Sequence, residues 1–412
     1  MDVQTPPCNT TSENQCGVKS SSYALIIIPV LLAVSTVVVV ALIVYSVCCK
    51  RQERAVTVVF NSDTSARSLE GWADGTLLPT CTSKRVRSTG CGSVLVSTVS
   101  GPLGPWEIPE DCVLEELAFL HTGRYGPVCR SQLSAGQVTS AVVVKTLRDS
   151  TSQAEVKEFV NWARFHAVVS RHENLVQMLF CQTRHVPMYL VLEDVNPGNL
   201  LHFLWSLRNE DPGTPSQSQQ FCEKSVYLLA KQVAAGLEYL HSEHRLVHGD
   251  VAARSVLIGA GLSVRVAGLG MAFEAWETGK VANRRAAEVP LKWQAPERIT
   301  HLAMTTRSDV WSFGILLYEL VTLGAPPYPG LEPLDVLPQI RSSYRMEKPE
   351  SCGTPLYELM KCCWMLNSSD RPTFPAIIQL LQSYTDLADT KRLSSLESMN
   401  IFEYSKKAGV FP

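Results

Sequence analysis

Charge is scarce in this 412-residue chain. Asp, Glu, Lys and Arg make up only 18% of it, with 37 basic against 39 acidic side chains. A typical soluble domain carries about 25%. The near balance excludes the basic excess of a generic nucleic-acid binder. An apolar content of 45% excludes an acidic disordered protein. The 13 cysteines are too few for a disulfide scaffold, and none form a Cys-x-x-Cys pair, which argues against a structural zinc site. No internal repeat stands out. Mean hydropathy is nonetheless slightly positive. Few charges and positive hydropathy together point to one very apolar segment.

That segment is Ala24 to Cys49, which holds no charged residue. At 1.5 Å per residue it would reach about 39 Å as a helix, enough to cross a bilayer core of about 30 Å. A signal peptide fits poorly. Asp2, Glu13 and Lys19 precede the run instead of a basic region, and the run exceeds a signal core of roughly 7–15 residues. The expectation is a retained transmembrane helix. Lys50, Arg51 and Arg54 follow it at once, so the positive-inside rule places the N-terminus outside and the rest in the cytosol. Asn9-Thr10-Thr11 is an N-glycosylation sequon on the outer side, where Cys8 and Cys16 would meet an oxidising compartment. Cys48 and Cys49 at the inner edge read equally as palmitoylation sites or as ordinary membrane-edge residues.

The remaining chain divides by composition. Residues 1–23 form a short extracellular segment and 24–49 the span. Residues 50–111, rich in Ser, Thr, Gly and Pro, read as a flexible juxtamembrane linker. Its basic cluster Lys84-Arg85-Val86-Arg87 would be a solvated run or a lipid contact. Residues 112–385 are globular and 386–412 a tail. Within 112–385, β-rich runs (Ala141–Leu147, Met188–Leu192) surround one helical pattern over Gln153–Val169. Helical patterns then dominate over Lys224–Leu240, Asp309–Leu323, Leu356–Met365 and Phe374–Tyr384. The expected fold class is α+β, with a small β-rich lobe to about residue 195 and a larger helical lobe after it.

Short motifs occur in one order. His121–Val128 (HTGRYGPV) has the form of a glycine-rich loop, and AVVVK ends at Lys145. Leu192–Leu204 reads as a hinge leading into a helix. His248–Ser255 (HGDVAARS), Ala267–Gly270 (AGLG), Pro290–Glu297 (PLKWQAPE), Ser308–Glu319 (SDVWSFGILLYE) and Arg371-Pro372 complete the series. This order resembles a protein kinase domain over roughly 112–385, and the AAR and PLKW elements resemble the tyrosine-kinase branch.

The resemblance implies a two-lobed kinase fold and an ATP cofactor with Mg²⁺. Lys145 matches the lysine that holds the phosphates, and Asp250 the catalytic-loop Asp that accepts the substrate proton. Gly123, Gly126, Val128, Val143, Leu192, Glu193, Val195 and Leu257 match the nucleotide pocket. Four departures stand against this. The metal-binding Asp and Asn fall at Gly268 and Ser255, so no metal ligand set remains. The helix Glu that holds the lysine falls near Trp162, with Glu158 one turn earlier as a partial substitute. The first loop glycine is His121, and the usual pocket alanine is Val143. The catalytic-loop Arg is Gly249, while Met271–Val289 contains no tyrosine and only Thr278 as a hydroxyl.

Scaffold residues match throughout. Glu297 and Arg371 match a buried ion pair, and Asp309 with Trp311 supports the catalytic loop. Two functions follow. One is a membrane-anchored pseudokinase that binds other signalling proteins or kinases, as a monomer or a homo-oligomer, with ATP bound weakly or without Mg²⁺. The other is a weakly active tyrosine kinase using Lys145 and Asp250. A third reading makes the tail the working part, with Tyr404 after Glu403 as a docking phosphotyrosine. Nucleic acid is not an expected partner.

Overall fold

A computed structural model describes residues 103–208, 221–279, 289–300, 304–393 and 404. The expected span over Ala24–Cys49, Asn9, Cys48, Cys49 and the cluster at 84–87 lie outside the described residues. Among the described residues no helix is long and apolar enough to cross a membrane.

Three antiparallel strands open the fold: β1 (Cys112–Thr122), β2 (Pro127–Ala135) and β3 (Val138–Thr146). Helix α1 (Gln153–Val169) follows, then β4 (Met178–Gln182) and β5 (Tyr189–Glu193). The sheet order is β1-β2-β3-β5-β4. Period-two alternation splits β3 between two faces. Val142 and Val144 pack with Leu133 and Val191 in one small core. Val143 and Lys145 point the other way. Helix α1 starts where the sequence places it because Ser152 and Glu155 form a capping box: the Glu155 amide donates to Ser152 Oγ at 3.3 Å and the Ser152 amide to Glu155 Oε2 at 3.0 Å.

The larger lobe begins with a small sheet, β6 (Gly198–Asn199), β7 (Val256–Ile258) and β8 (Val264–Val266), around α2 (Leu200–Arg208) and α3 (Glu223–His244). Five further helices of interest are α4 (Gly270–Thr278), α5 (Pro296–Ile299), α6 (Thr306–Val321), α7 (Val336–Arg341) and α8 (Thr354–Cys363); α9 (Phe374–Tyr384) follows them. Helix α6 is buried on nearly every side, with Trp311, Phe313, Ile315, Leu316 and Leu317 at 1% exposure or less. A helix that is apolar all round must sit inside the domain.

The ordered fold extends past the expected limits of 112 and 385. Leu103 is buried, Ile108 donates its amide to Cys181 O at 2.8 Å, and the Thr183 amide donates to Glu107 Oε2 at 3.2 Å. Residues 103–111 therefore pack on β4 and are not part of a flexible linker. At the other end Leu393 is buried and donates its amide to Phe221 O at 2.9 Å.

Candidate nucleotide and metal site

Cross-strand register assembles much of the predicted pocket. Val128 and Leu190 pair with Lys145, and Leu192 pairs with Val143. Directly opposed residues share a sheet face, so Val128, Val143, Lys145 and Leu192 lie together. Leu257 is half-buried on β7 and Val195 half-buried beyond β5. Glu193 departs from expectation. It opposes Val142 on the other face, accepts from the Gln177 amide at 2.8 Å and pairs with Arg265 Nε at 2.8 Å. Its side chain ties β5 to β8 and faces away from the side of the sheet that carries Lys145.

The loop between β1 and β2 closes on itself, with the Gly123 amide donating to Gly126 O at 2.8 Å. Its tip is held down on α1. Arg124 pairs with Glu158, and the Tyr125 hydroxyl donates to Glu158 Oε1 at 3.2 Å. The Tyr125 ring meets Phe159 edge-on at 5.4 Å, and Arg148 Nη2 donates to Arg124 O at 2.6 Å. Glu158 is thus committed to the loop and does not substitute for the missing partner of Lys145.

Burial pushes the Lys145 ammonium pKa down, and among the described residues no carboxylate pairs with it. Its charge acts on two histidines. His121, opposite Val128, is lowered first by burial and then by Lys145. His166 on α1 is pushed down to about 3 by burial, then by Lys145. His166 Nδ1 lies 3.2 Å from Ser170 Oγ, while the buried Nε2 finds no hydrogen-bond partner among the described residues. Sequence reading missed His166. The signal was its position one turn beyond Trp162.

Trp162, near which the helix carboxylate was expected, sits in an aromatic cluster. Its ring meets Phe273 of α4 edge-on at 4.9 Å, stacks on Phe165 at 5.5 Å and meets His166 at 4.5 Å. Trp276 adds a contact to Phe165 at 5.7 Å, and Asn161 Nδ2 donates to Glu277 Oε1 at 2.9 Å. Each edge-to-face pair contributes roughly 0.5–1.5 kcal/mol beyond burial. Helices α1 and α4 are thus bound to each other mainly by aromatic contact, through a residue close to where a kinase carries the carboxylate partner of its β3 lysine.

The metal positions lie side by side but carry no acid. A Cβ built on Gly268 would meet Ser255 Oγ at 3.0 Å, and Gly268 has φ +71°. An aspartate there would start strained. The nearby carboxylate of Asp250 is paired with Arg254 and accepts from Ser255 Oγ at 3.4 Å. Among the described residues no group of three or more His, Cys, Asp or Glu could hold a metal ion. The apolar face with Lys145 beside it suits an adenine nucleotide: the base against methyl groups and a phosphate against the ammonium. The pair Gly268 and Ser255 does not suit Mg²⁺, which requires oxygen ligands in near-ideal octahedral geometry.

Support for the catalytic loop is complete. Asp309 accepts from the amides of His248 at 2.7 Å and Gly249 at 2.8 Å, and lies 2.9 Å from His241 Nε2. Burial alone would raise its pKa; the His241 contact and these donors hold it below the ordinary value. Gly249 has φ +78°, and a Cβ there would meet Met304 Sδ at 2.8 Å and Met271 Cβ at 3.1 Å. A side chain at this position would be strained and would crowd Met304 and Met271, which pack together with Val289. Arg371 and Glu297 form the expected buried pair, at 2.6 and 2.8 Å. Tyr404, expected as an exposed docking tyrosine, is buried at 3% exposure.

Comparison with known proteins agrees with this geometry. A model of the family "protein tyrosine and serine/threonine kinase" matches residues 114–381. The mouse tyrosine-protein kinase STYK1 is 34% identical over 97% of this chain and 94% of its own length. Its human counterpart is 33% identical over the same shares. The Drosophila tyrosine kinase receptor Cad96Ca is 34% identical over 73% of this chain and 40% of its own length. With the two lobes, the motif order and the family model in agreement, the chain belongs to the protein tyrosine and serine/threonine kinase family.

Proposed function

We propose that this chain is a membrane-anchored, tyrosine-kinase-like signalling protein that works as a pseudokinase through protein–protein contacts. Family membership implies ATP use, usually with Mg²⁺. One observation carries the departure from it: Gly268 sits against Ser255 while the remaining acid, Asp250, is paired with Arg254. Electrostatics at the transferring phosphoryl group dominate this reaction, and losing the metal acid removes several orders of magnitude of rate. The lack of a carboxylate partner for Lys145 among the described residues and the α1–α4 aromatic contact support the same reading. Nucleotide binding is weak or independent of Mg²⁺.

The charge-free run at 24–49 and its basic inner flank support the anchor, with the kinase-like domain cytosolic. Partners are other signalling proteins or kinases, or a second copy. A second reading, a weakly active tyrosine kinase, rests on Lys145 and Asp250 both being in place. Purified protein with Mg²⁺, ATP and a tyrosine peptide distinguishes them. The expected result is phosphate transfer no greater than that of Asp250→Asn. Mg²⁺-dependent transfer that Asp250→Asn abolishes would establish the second reading.

A further inference from the structure

One tyrosine of the C-terminal segment returns to the helical lobe. Tyr404 joins the main core, as does Leu393 before it. Its ring stands 4.9 Å from Trp205 of α2, edge-on, and 6.5 Å from Trp293. Trp205 is itself fixed, donating Nε1 to Gly324 O at 2.9 Å. The Tyr404 hydroxyl lies 3.5 Å from Glu319 Oε1. Glu319 has no exposed surface, and its other oxygen accepts from the Ala253 amide at 2.9 Å and Trp293 Nε1 at 3.0 Å. Two indoles and a buried carboxyl thus form a slot with the size and polarity of a phenol. Burial lifts the Glu319 carboxyl to about 7, partly opposed by these donors.

The slot adjoins the catalytic loop. Ala253 supplies the amide that Glu319 holds. Arg254 stacks on the Trp293 ring at 4.7 Å and pairs with Asp250.

We propose that this slot is a tyrosine-binding site occupied by the chain's own Tyr404, and that phosphorylation of Tyr404 by a tyrosine kinase empties it. In that step the Tyr404 oxygen bonds to the γ-phosphorus of the kinase's ATP. The bond from γ-phosphorus to the ADP oxygen breaks, and the phenolic proton leaves. The product carries about −1.5 to −2 charge at pH 7. Docked, that charge would face the Glu319 carboxyl between two indoles. Arg254 pairs with Asp250 through Nη2, and its buried Nη1 has no hydrogen-bond partner among the described residues; it is a single cation set against both the phosphate and the Glu319 carboxyl. Docking and phosphorylation therefore exclude each other. The inference is independent of whether the chain itself transfers phosphate.

A tyrosine at 3% exposure must leave the slot before a kinase reaches it. The test uses the full-length chain in detergent and a broad-specificity tyrosine kinase with MgATP, with Tyr404 followed by mass spectrometry. A synthetic peptide of residues 398–410 is the unprotected reference. Phosphorylation in the chain should be slower than in the peptide by about ten-fold or more, as expected for a site reached only through local opening. Trypsin cleavage at Lys406 and Lys407 then reads docking directly. Tyr404→Phe keeps the ring and should stay protected; Tyr404→Glu, and phosphorylated wild type, should be cleaved faster by a similar factor. Equal phosphorylation of chain and peptide would overturn the proposal. So would a phosphorylated tail as protected as before, which would mean that Arg254 holds the phosphate in place. The Tyr404 variants leave every residue that lines the slot unchanged, so the comparison survives if a slot variant such as Trp205→Ala fails to fold.

Discussion

Truncating Arg371 to alanine should cost about 3–5 kcal/mol of stability, the cost of breaking a buried ion pair from one side. Arg371 has no exposed side-chain surface. Its guanidinium makes two bonds to Glu297 and donates Nε to Met365 O at 2.9 Å and Nη1 to Arg307 O at 2.9 Å. It also lies over the Trp311 ring at 5.1 Å. The variant strands a carboxylate that is largely buried and leaves two carbonyls without their donor. The loss also opens a void beside Trp311. For a domain of this size each kcal/mol lowers the melting temperature by roughly 2–4 °C. Thermal melts of Arg371→Ala against Arg371→Lys measure it: lysine keeps the charge but not the paired geometry, so it should fall between alanine and wild type. An alanine variant as stable as wild type would remove the pair from the account of the scaffold.

The second large effect is acid lability through His166. Its folded pKa is lowered to about 3, while an unfolded histidine titrates near 6.5. Below pH 6.5 the unfolded chain takes up a proton that the folded site refuses, so stability falls as pH falls. The slope approaches about 1.4 kcal/mol per pH unit. Between pH 6.5 and 5.0 the site alone should remove about 2 kcal/mol. His166→Gln removes the titration and retains a side chain able to bond Ser170. Denaturation curves at both pH values should show wild type losing about 2 kcal/mol more than the variant. Parallel losses in both proteins would place the acid sensitivity elsewhere.

Local signals carried far in this chain. Helix α1 runs over Gln153–Val169 as its pattern indicated, because the capping box at Ser152 and Glu155 lies within the same few residues. Helix α6 begins earlier than the pattern at Asp309, because Thr305 and Ser308 form a second capping box. The lost metal acid was readable at Gly268, since one position in a motif of fixed spacing decides it. What the fold builds around these departures from the motif was not readable. The Trp162–Phe273 contact joins residues over a hundred positions apart, on two helices whose packing no local signal specifies. Gly249 could be read as a missing clamp, but only its backbone angle and the methionines around it show that a side chain there would be strained and crowded. Tyr404 followed an acidic residue and looked like a surface site. Its burial depends on Trp205, Trp293 and Glu319, which come from three separate elements.

The central claim is that this site has kept its lysine and lost its metal. Thermal stability of the wild-type chain with millimolar ATP, in EDTA and in Mg²⁺, tests it most directly. A ligand at 100 times its Kd adds about 2.7 kcal/mol. The account predicts that Mg²⁺ adds nothing to whatever stabilisation ATP gives alone. Stabilisation that appears only with Mg²⁺, and disappears in Asp250→Asn, would contradict it.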